Sequence, residues 1–195
     1  MENKIAIDIV LLLSNETNDI ICDFSKKIVT PKDLKPYVLD NINYIPHISL
    51  LMGVVTSDKL NLVKEKIKPI LNKYLPLEIT FDGLIKNKFP GLEIKKTKEL
   101  VNLQKDIAEA IHLDYDATRD MFFDADISDQ GIEWINKFRE NNINDGKYNI
   151  HITLGLGDIG SLDFNLPIKT TINTAAVCHI GYGCSCRKIL AKIVV

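Results

Sequence analysis

Two short segments carry the residues that can do chemistry. Tyr44-Ile45-Pro46-His47-Ile48-Ser49-Leu50 and Tyr148-Asn149-Ile150-His151-Ile152-Thr153-Leu154 share Tyr, His, Ile, a hydroxyl residue and Leu at identical spacing. Each histidine is followed two places later by Ser49 or Thr153. Side chains alternate faces along a strand, so His47 shares a face with Ser49, and His151 with Thr153. Ile48, Leu50, Ile152 and Leu154 fill the opposite, buried faces. With 7 Ser and 10 Thr among 195 residues, such a match is an uncommon accident for one histidine, and two of the four show it within a shared frame. His112 and His179 are followed at that spacing by Asp114 and Gly181. An imidazole titrates near neutrality, so a pair can remove one proton and supply another in a single step. The adjacent hydroxyls can donate to phosphate oxygens where negative charge gathers. That chemistry breaks a phosphodiester with no metal and no cofactor.

The duplicated motif resembles the two-histidine (2H) phosphoesterase superfamily, which includes 2′,5′-RNA ligase-like proteins and cyclic nucleotide phosphodiesterases. The resemblance covers most of the chain: an opening strand, a helix after the first motif and a β-hairpin after the second. It implies an α+β fold, bilobal and pseudo-symmetric, with two largely antiparallel sheets around a central cleft and helices outside. It also implies that residues 1–195 form a single domain of two intertwined lobes. His47 and His151 would be the catalytic pair, with Ser49 and Thr153 binding phosphate. Pro46 matches a common feature of the family, and Ile150 departs from it in the second copy. The implied substrates are 2′,3′-cyclic phosphates or 2′,5′-linked oligonucleotides. A binding module that keeps the cleft without turnover is the alternative.

The elements that must position these segments are legible in the apolar pattern. Ile5–Leu13 reads as a strand and Asn15–Val29 as a helix capped by Ser14 or Asn15. Pro46–Val55 is the first motif strand. Ser57–Leu75 is a helix with Leu60, Val63, Ile67, Ile70 and Leu71 on one face. Leu77–Ile85 and Phe89–Lys95 are strands, and a helix capped by Thr97 runs to His112. A helix capped by Ser128 runs to Asn141, with Asn144-Asp145-Gly146 as turn residues behind it. Ile150–Leu156 is the second motif strand. Ile168–Ile180 and Arg187–Val195 complete the chain as a hairpin. No linker or low-complexity segment divides it.

Composition bounds the partners. Hydrophobic residues make up 46% and charged residues 26%, with a net charge of −2. This describes an ordinary globular chain without a basic field for long nucleic acid. The ligand is expected to be a nucleotide or short RNA. Asp8 interrupts the apolar Ile5–Leu13 run, and no small-residue cleavage site follows. A cytoplasmic monomer with no membrane contact and four reduced thiols is the expectation.

Other residues have plainer explanations. Tyr44, Tyr148, Arg119 and Arg187 are candidate substrate contacts. Lys86, Lys88, Lys95, Lys96 and Lys98 form a basic stretch best read as a solvated hairpin face. Cys178, His179, Cys184 and Cys186 could hold zinc, giving a rival structural reading, but their spacing suits no ordinary zinc unit. Asp124, Asp126 and Asp129 lack the glycine and glutamate of a calcium loop.

Overall fold

A computed structural model describes residues 3–144, 150–160 and 164–195. Two four-stranded antiparallel sheets form the scaffold. The opening apolar run is strand β1 (Lys4–Leu12), and it lies inside the first sheet. β2 (His47–Thr56) flanks it on one side, with β7 (Thr174–Ile180) and β8 (Cys186–Val194) on the other. The second sheet has the order β5 (His151–Thr153), β4 (Gly91–Ile94), β3 (Leu77–Ile85), β6 (Ile168–Ile172). Each motif strand is therefore the edge strand of its own sheet.

Three helices follow local signals. α1 (Asn15–Ser25) starts where the Ser14 hydroxyl accepts from the Thr17 amide. α3 (Lys98–Ala110) is capped in the same way by Thr97. α2 (Leu60–Tyr74) buries Val63, Ile67 and Leu71. It packs on α3 and β8, while α3 packs on β2. Capping satisfies amides that the first turn leaves unpaired. α4 (Asp129–Asn136) is capped by Ser128 and buries Ile135.

Several boundaries differ from the sequence reading, each for a tertiary reason. α1 stops at Ser25, whose buried hydroxyl accepts from the Leu39 amide. The chain beyond it turns to bridge the segment after β5, with Val29 paired to Asp158 and Val38 to Gly155. Those bridges also cut the second motif strand to three residues. The expected helix to Asn141 gives way to a π-helical turn at Arg139–Asn144. Asp145 and Gly146 lie outside the described residues. The run Ile168–Ile180 is two strands rather than one: β6 pairs with β3, and after Asn173 β7 pairs with β1. One extended segment thus ties both sheets together, as strands at sheet corners do.

A β-bulge sets which side chains meet. β1 and β2 run in register from Lys4 opposite Thr56 to Ile9 opposite Leu51. There the register shifts, and Val10 stands opposite Ser49. Leu50 has no partner on β1, and its carbonyl accepts from Gln104 of α3 at 3.1 Å. The extra residue reverses the alternation of β2, placing Ser49 and His47 on the face that carries Asp8, Val10 and Leu12. A small apolar cluster of Val10, Leu12, Ala176, Cys178 and Cys186 covers that face, separate from the main core.

Cys178 and Cys186 sit on adjacent strands with Cα atoms 5.5 Å apart and are joined as a disulfide. This corrects the expectation of four reduced thiols. Diagonal neighbours on a hairpin have the Cα separation such a bond requires. Cys22 and Cys184 are thiols. Among the described residues no helix is long and apolar enough to cross a membrane.

Candidate active site

His47 is the first residue of β2, and the segment leading to it is pinned. The Ile45 amide donates to the Cys186 carbonyl at 3.0 Å. The His47 ring then turns back so that Nδ1 donates to the Ile45 carbonyl at 2.6 Å. A carbonyl only accepts, so Nδ1 carries the proton of the neutral ring and Nε2 holds the lone pair. Sequence reasoning expected this histidine on an open face; it is only 9% exposed. Burial lowers its pKa to about 4; the Ile45 bond opposes that shift and the nearby His151 adds to it. His47 is neutral at physiological pH.

Beneath His47 lies a carboxyl. The Ser49 hydroxyl donates to Asp8 Oδ2 at 2.6 Å, and the same oxygen is 3.7 Å from His47 Nε2. Asp8 is fully buried, and its Oδ1 has no hydrogen-bond partner among the described residues. Burial pushes its pKa well above the usual carboxylate range, against the Ser49 bond. Sequence reasoning missed Asp8 as a site residue, although an acid in an otherwise apolar strand is the signal that marks one.

The second half-site is built differently. His151 opens β5 opposite Glu93, and Thr153 stands opposite Gly91. A Cβ on Gly91 would lie 2.5 Å from the Ile152 carbonyl oxygen, so the close approach of β4 to this motif depends on glycine there. Ile152 is buried, while His151 and Thr153 are half-buried. The arrangement places two imidazoles within electrostatic reach, His47 buried and His151 half-buried.

The remaining candidates divide. Tyr44 is buried against Tyr37, ring centroids 4.9 Å apart, and the Arg187 guanidinium lies 4.4 Å above the Tyr44 ring. Phe123 closes on the same guanidinium at 5.1 Å. Arg187 Nε and Nη1 are buried without hydrogen-bond partners among the described residues, and Nη1 is 3.9 Å from Asp126. The Ile45–Cys186 bridge joins this stack to the His47 strand. Arg119 is instead engaged by Asp129 at 2.6 Å and by the Ile127 carbonyl. Tyr148 lies outside the described residues. Lys86, Lys88, Lys95, Lys96 and Lys98 are all exposed.

The rival metal constellations are otherwise occupied. Cys178 and Cys186 are bonded to each other, and His179 Nε2 meets the Met121 carbonyl at 3.0 Å. Asp126 pairs with Lys35, and Asp129 with Arg119. A cleft of about 540 Å³ opens beside the lead-in to His47, bounded by Leu12, Ile45, Pro46, Asn15, Asn41 and Lys192 among others; no motif histidine or hydroxyl lines it.

No family's sequence model matches this chain, and no curated protein matches it in sequence. Solved structures do match over nearly its whole length. Escherichia coli LigT bound to NADP+ superposes with a TM-score of 0.57 at 14% identity, covering 98% of both chains. A protein described as a phosphoesterase gives 0.58 at 14% identity, covering 97% of each chain. TT0787 of Thermus thermophilus gives 0.58 at 10% identity, also covering 97% of each. With a motif histidine at the head of an edge strand in each of its two sheets, the chain has the fold of the two-histidine phosphoesterases.

Proposed function

We propose that the protein is a metal-independent phosphodiesterase acting on 2′,3′-cyclic phosphates or 2′,5′-linked oligonucleotides. The observation that carries this reading is the pairing of a buried, neutral His47 with a half-exposed His151, each beside a hydroxyl. His47 Nε2 takes the proton of the attacking water or hydroxyl, and His151 protonates the departing oxygen. Thr153 donates to a non-bridging oxygen, and Ser49 does so once its single proton turns from Asp8 to the phosphate. The phosphate itself brings negative charge to His47, which raises the basicity that burial removes. Both half-sites lie on one chain, so a monomer suffices.

Crystal structures of Escherichia coli LigT hold 3′-AMP, ATP, NADP+ or phosphate. A nucleotide carrying phosphate is the corresponding ligand class here. One observation favours a second reading, binding without turnover: the Ser49 hydroxyl donates inward to Asp8. Incubation in EDTA with 2′,3′-cyclic mononucleotides, 2′,5′-oligoadenylate and 3′,5′-linked controls separates the two. Products that disappear in His47→Ala and His151→Ala support the enzyme and name its linkage. Binding of these ligands with no product supports the second reading.

A further inference from the structure

We propose that the cleft beside the lead-in to His47 holds the nucleoside flanking the scissile phosphate, and that Lys192 takes the next phosphate along the chain. The preferred substrate is then an oligonucleotide with at least two phosphates rather than a cyclic mononucleotide. This rests on the phosphodiesterase reading for what happens at the histidines.

The cleft lies on the face of the first sheet that carries His47. Leu12 stands opposite His47 on one side and opposite Thr174 on the other, so the three form one row across β2, β1 and β7. Residues directly opposite in antiparallel strands share a face. Ala176, two places beyond Thr174, is on that face too, and Lys192 of β8 stands opposite it. Leu12, Thr174 and Lys192 all line the cleft. It therefore begins one strand from His47, about 5 Å away, and runs across the sheet to β8. Ile45 and Pro46, directly before His47, line it as well. A chain with one phosphate at the histidines enters this cleft with its neighbouring residue.

The lining suits such a residue. The volume of about 540 Å³ falls within the roughly 300–1,000 Å³ of small-ligand sites. Asn15, Asn18, Asn41 and Asn173 line it beside Lys192, and no carboxylate is among the described lining residues. Each side-chain amide carries donors and an acceptor, which match base edges and sugar hydroxyls. A single ammonium with no acid beside it suits one further phosphate.

The walls are held in place before any ligand arrives. Asp40 Oδ1 accepts from the amides of Ile42, Asn43 and Tyr44 at 2.7–3.0 Å and fixes the loop that leads to His47. Within it Asn41 has a φ of 66°, a left-handed conformation that costs energy in a residue other than glycine. Asn41 Oδ1 accepts from Asn18 Nδ2, which ties this loop to α1. The Thr17 hydroxyl of α1 donates to Thr170 of β6 at 2.8 Å. Walls fixed in this way lose little further freedom on binding. A cyclic mononucleotide has one phosphate, and with that at the histidines it leaves Lys192 unused.

The test compares 2′,5′-linked diadenylate, with one phosphate, and triadenylate, with two, neither carrying a terminal phosphate. Their kcat/KM per linkage is measured in wild type, Lys192→Met and Lys192→Arg. Lys192 is exposed, so these variants fold. In the wild type the trimer exceeds the dimer by about 2- to 10-fold, the worth of one hydrogen bond. Lys192→Met abolishes that advantage and leaves the dimer unchanged, and Lys192→Arg keeps it. Binding to wild type and to His151→Ala, followed by NMR, reads the subsite without turnover: the trimer binds more tightly by the same factor and shifts the side-chain amide signals of Asn15, Asn18 and Asn41. Equal kcat/KM for dimer and trimer sinks the subsite and leaves the phosphodiesterase standing. A trimer advantage that survives Lys192→Met, or an equal loss with both substrates, also overturns it. Cleavage of neither, with tighter and Lys192-dependent binding of the trimer, supports the subsite and sinks the enzyme.

Discussion

His47 Nδ1 donates to the Ile45 carbonyl at 2.6 Å, and this bond distinguishes the two motif histidines. It leaves Nε2 as the basic nitrogen, on a ring that burial keeps neutral. Duplicated motifs therefore do not imply interchangeable roles. His47→Ala and His151→Ala each lower kcat by about 10²–10⁴-fold on a natural diester. A nitrophenyl diester, whose leaving group departs without a proton, restores most of the rate in His151→Ala and little in His47→Ala. Restoration in His47→Ala instead would exchange the two roles.

The motif hydroxyls are the next check. Ser49→Ala and Thr153→Ala each reduce kcat/KM by roughly tenfold, the worth of a hydrogen bond to a charged group. Ser49→Thr and Thr153→Ser, which keep the donor, retain most of it. Steady-state kinetics on the cleaved member of the panel measures this, and an unchanged kcat/KM in both alanine variants would mean that other groups hold the phosphate.

The repeated motif made the fold legible because a strand's alternation is visible in its residues. His47, Ser49, His151 and Thr153 fall on one face of their strands with no knowledge of their partners. The inner design was hidden by events that leave no local trace. The bulge at Leu50 is invisible in an apolar run, yet it alone puts Ser49 on the Asp8 face. The break at Asn173 falls within a continuous strand pattern, because both halves favour strand and only pairing tells them apart. The disulfide has no local signature: the absence of an export signal points to reduced thiols, whereas adjacency on β7 and β8 lets Cys178 and Cys186 meet. Arg119 and Arg187 were equal candidates in sequence; Asp129 occupies the first, and the aromatic stack holds the second near the His47 strand.

Arg187 follows from that contrast. Its guanidinium meets the rings of Tyr44 and Phe123, with Nε and Nη1 lacking hydrogen-bond partners among the described residues. Burying such donors unpaired is unfavourable unless a ligand uses them. Arg187→Met fills a similar volume without a charge, so the melting temperature does not fall, while KM for the nucleotide substrate rises several-fold. A lowered melting temperature with unchanged KM would make Arg187 a structural element of the stack.

His47 and Asp8 pull stability in opposite directions with pH. The His47 imidazole titrates at 6.5 when unfolded and at about 4 when folded. Above 6.5 it is neutral in both states. As pH falls below 6.5 the unfolded chain takes the proton first, so stability is lost down to about pH 4, by about 3 kcal/mol in all. Asp8 is raised from 3.8, so its contribution is fully present below that value and is lost as pH climbs toward the folded pKa. Urea unfolding across this range separates them. His47→Gln flattens the acid limb between about 4 and 6.5, and Asp8→Asn raises the midpoint most at the alkaline end. Superposable acid limbs for wild type and His47→Gln would mean that water reaches the His47 ring, and the basis for treating it as the neutral partner would be lost.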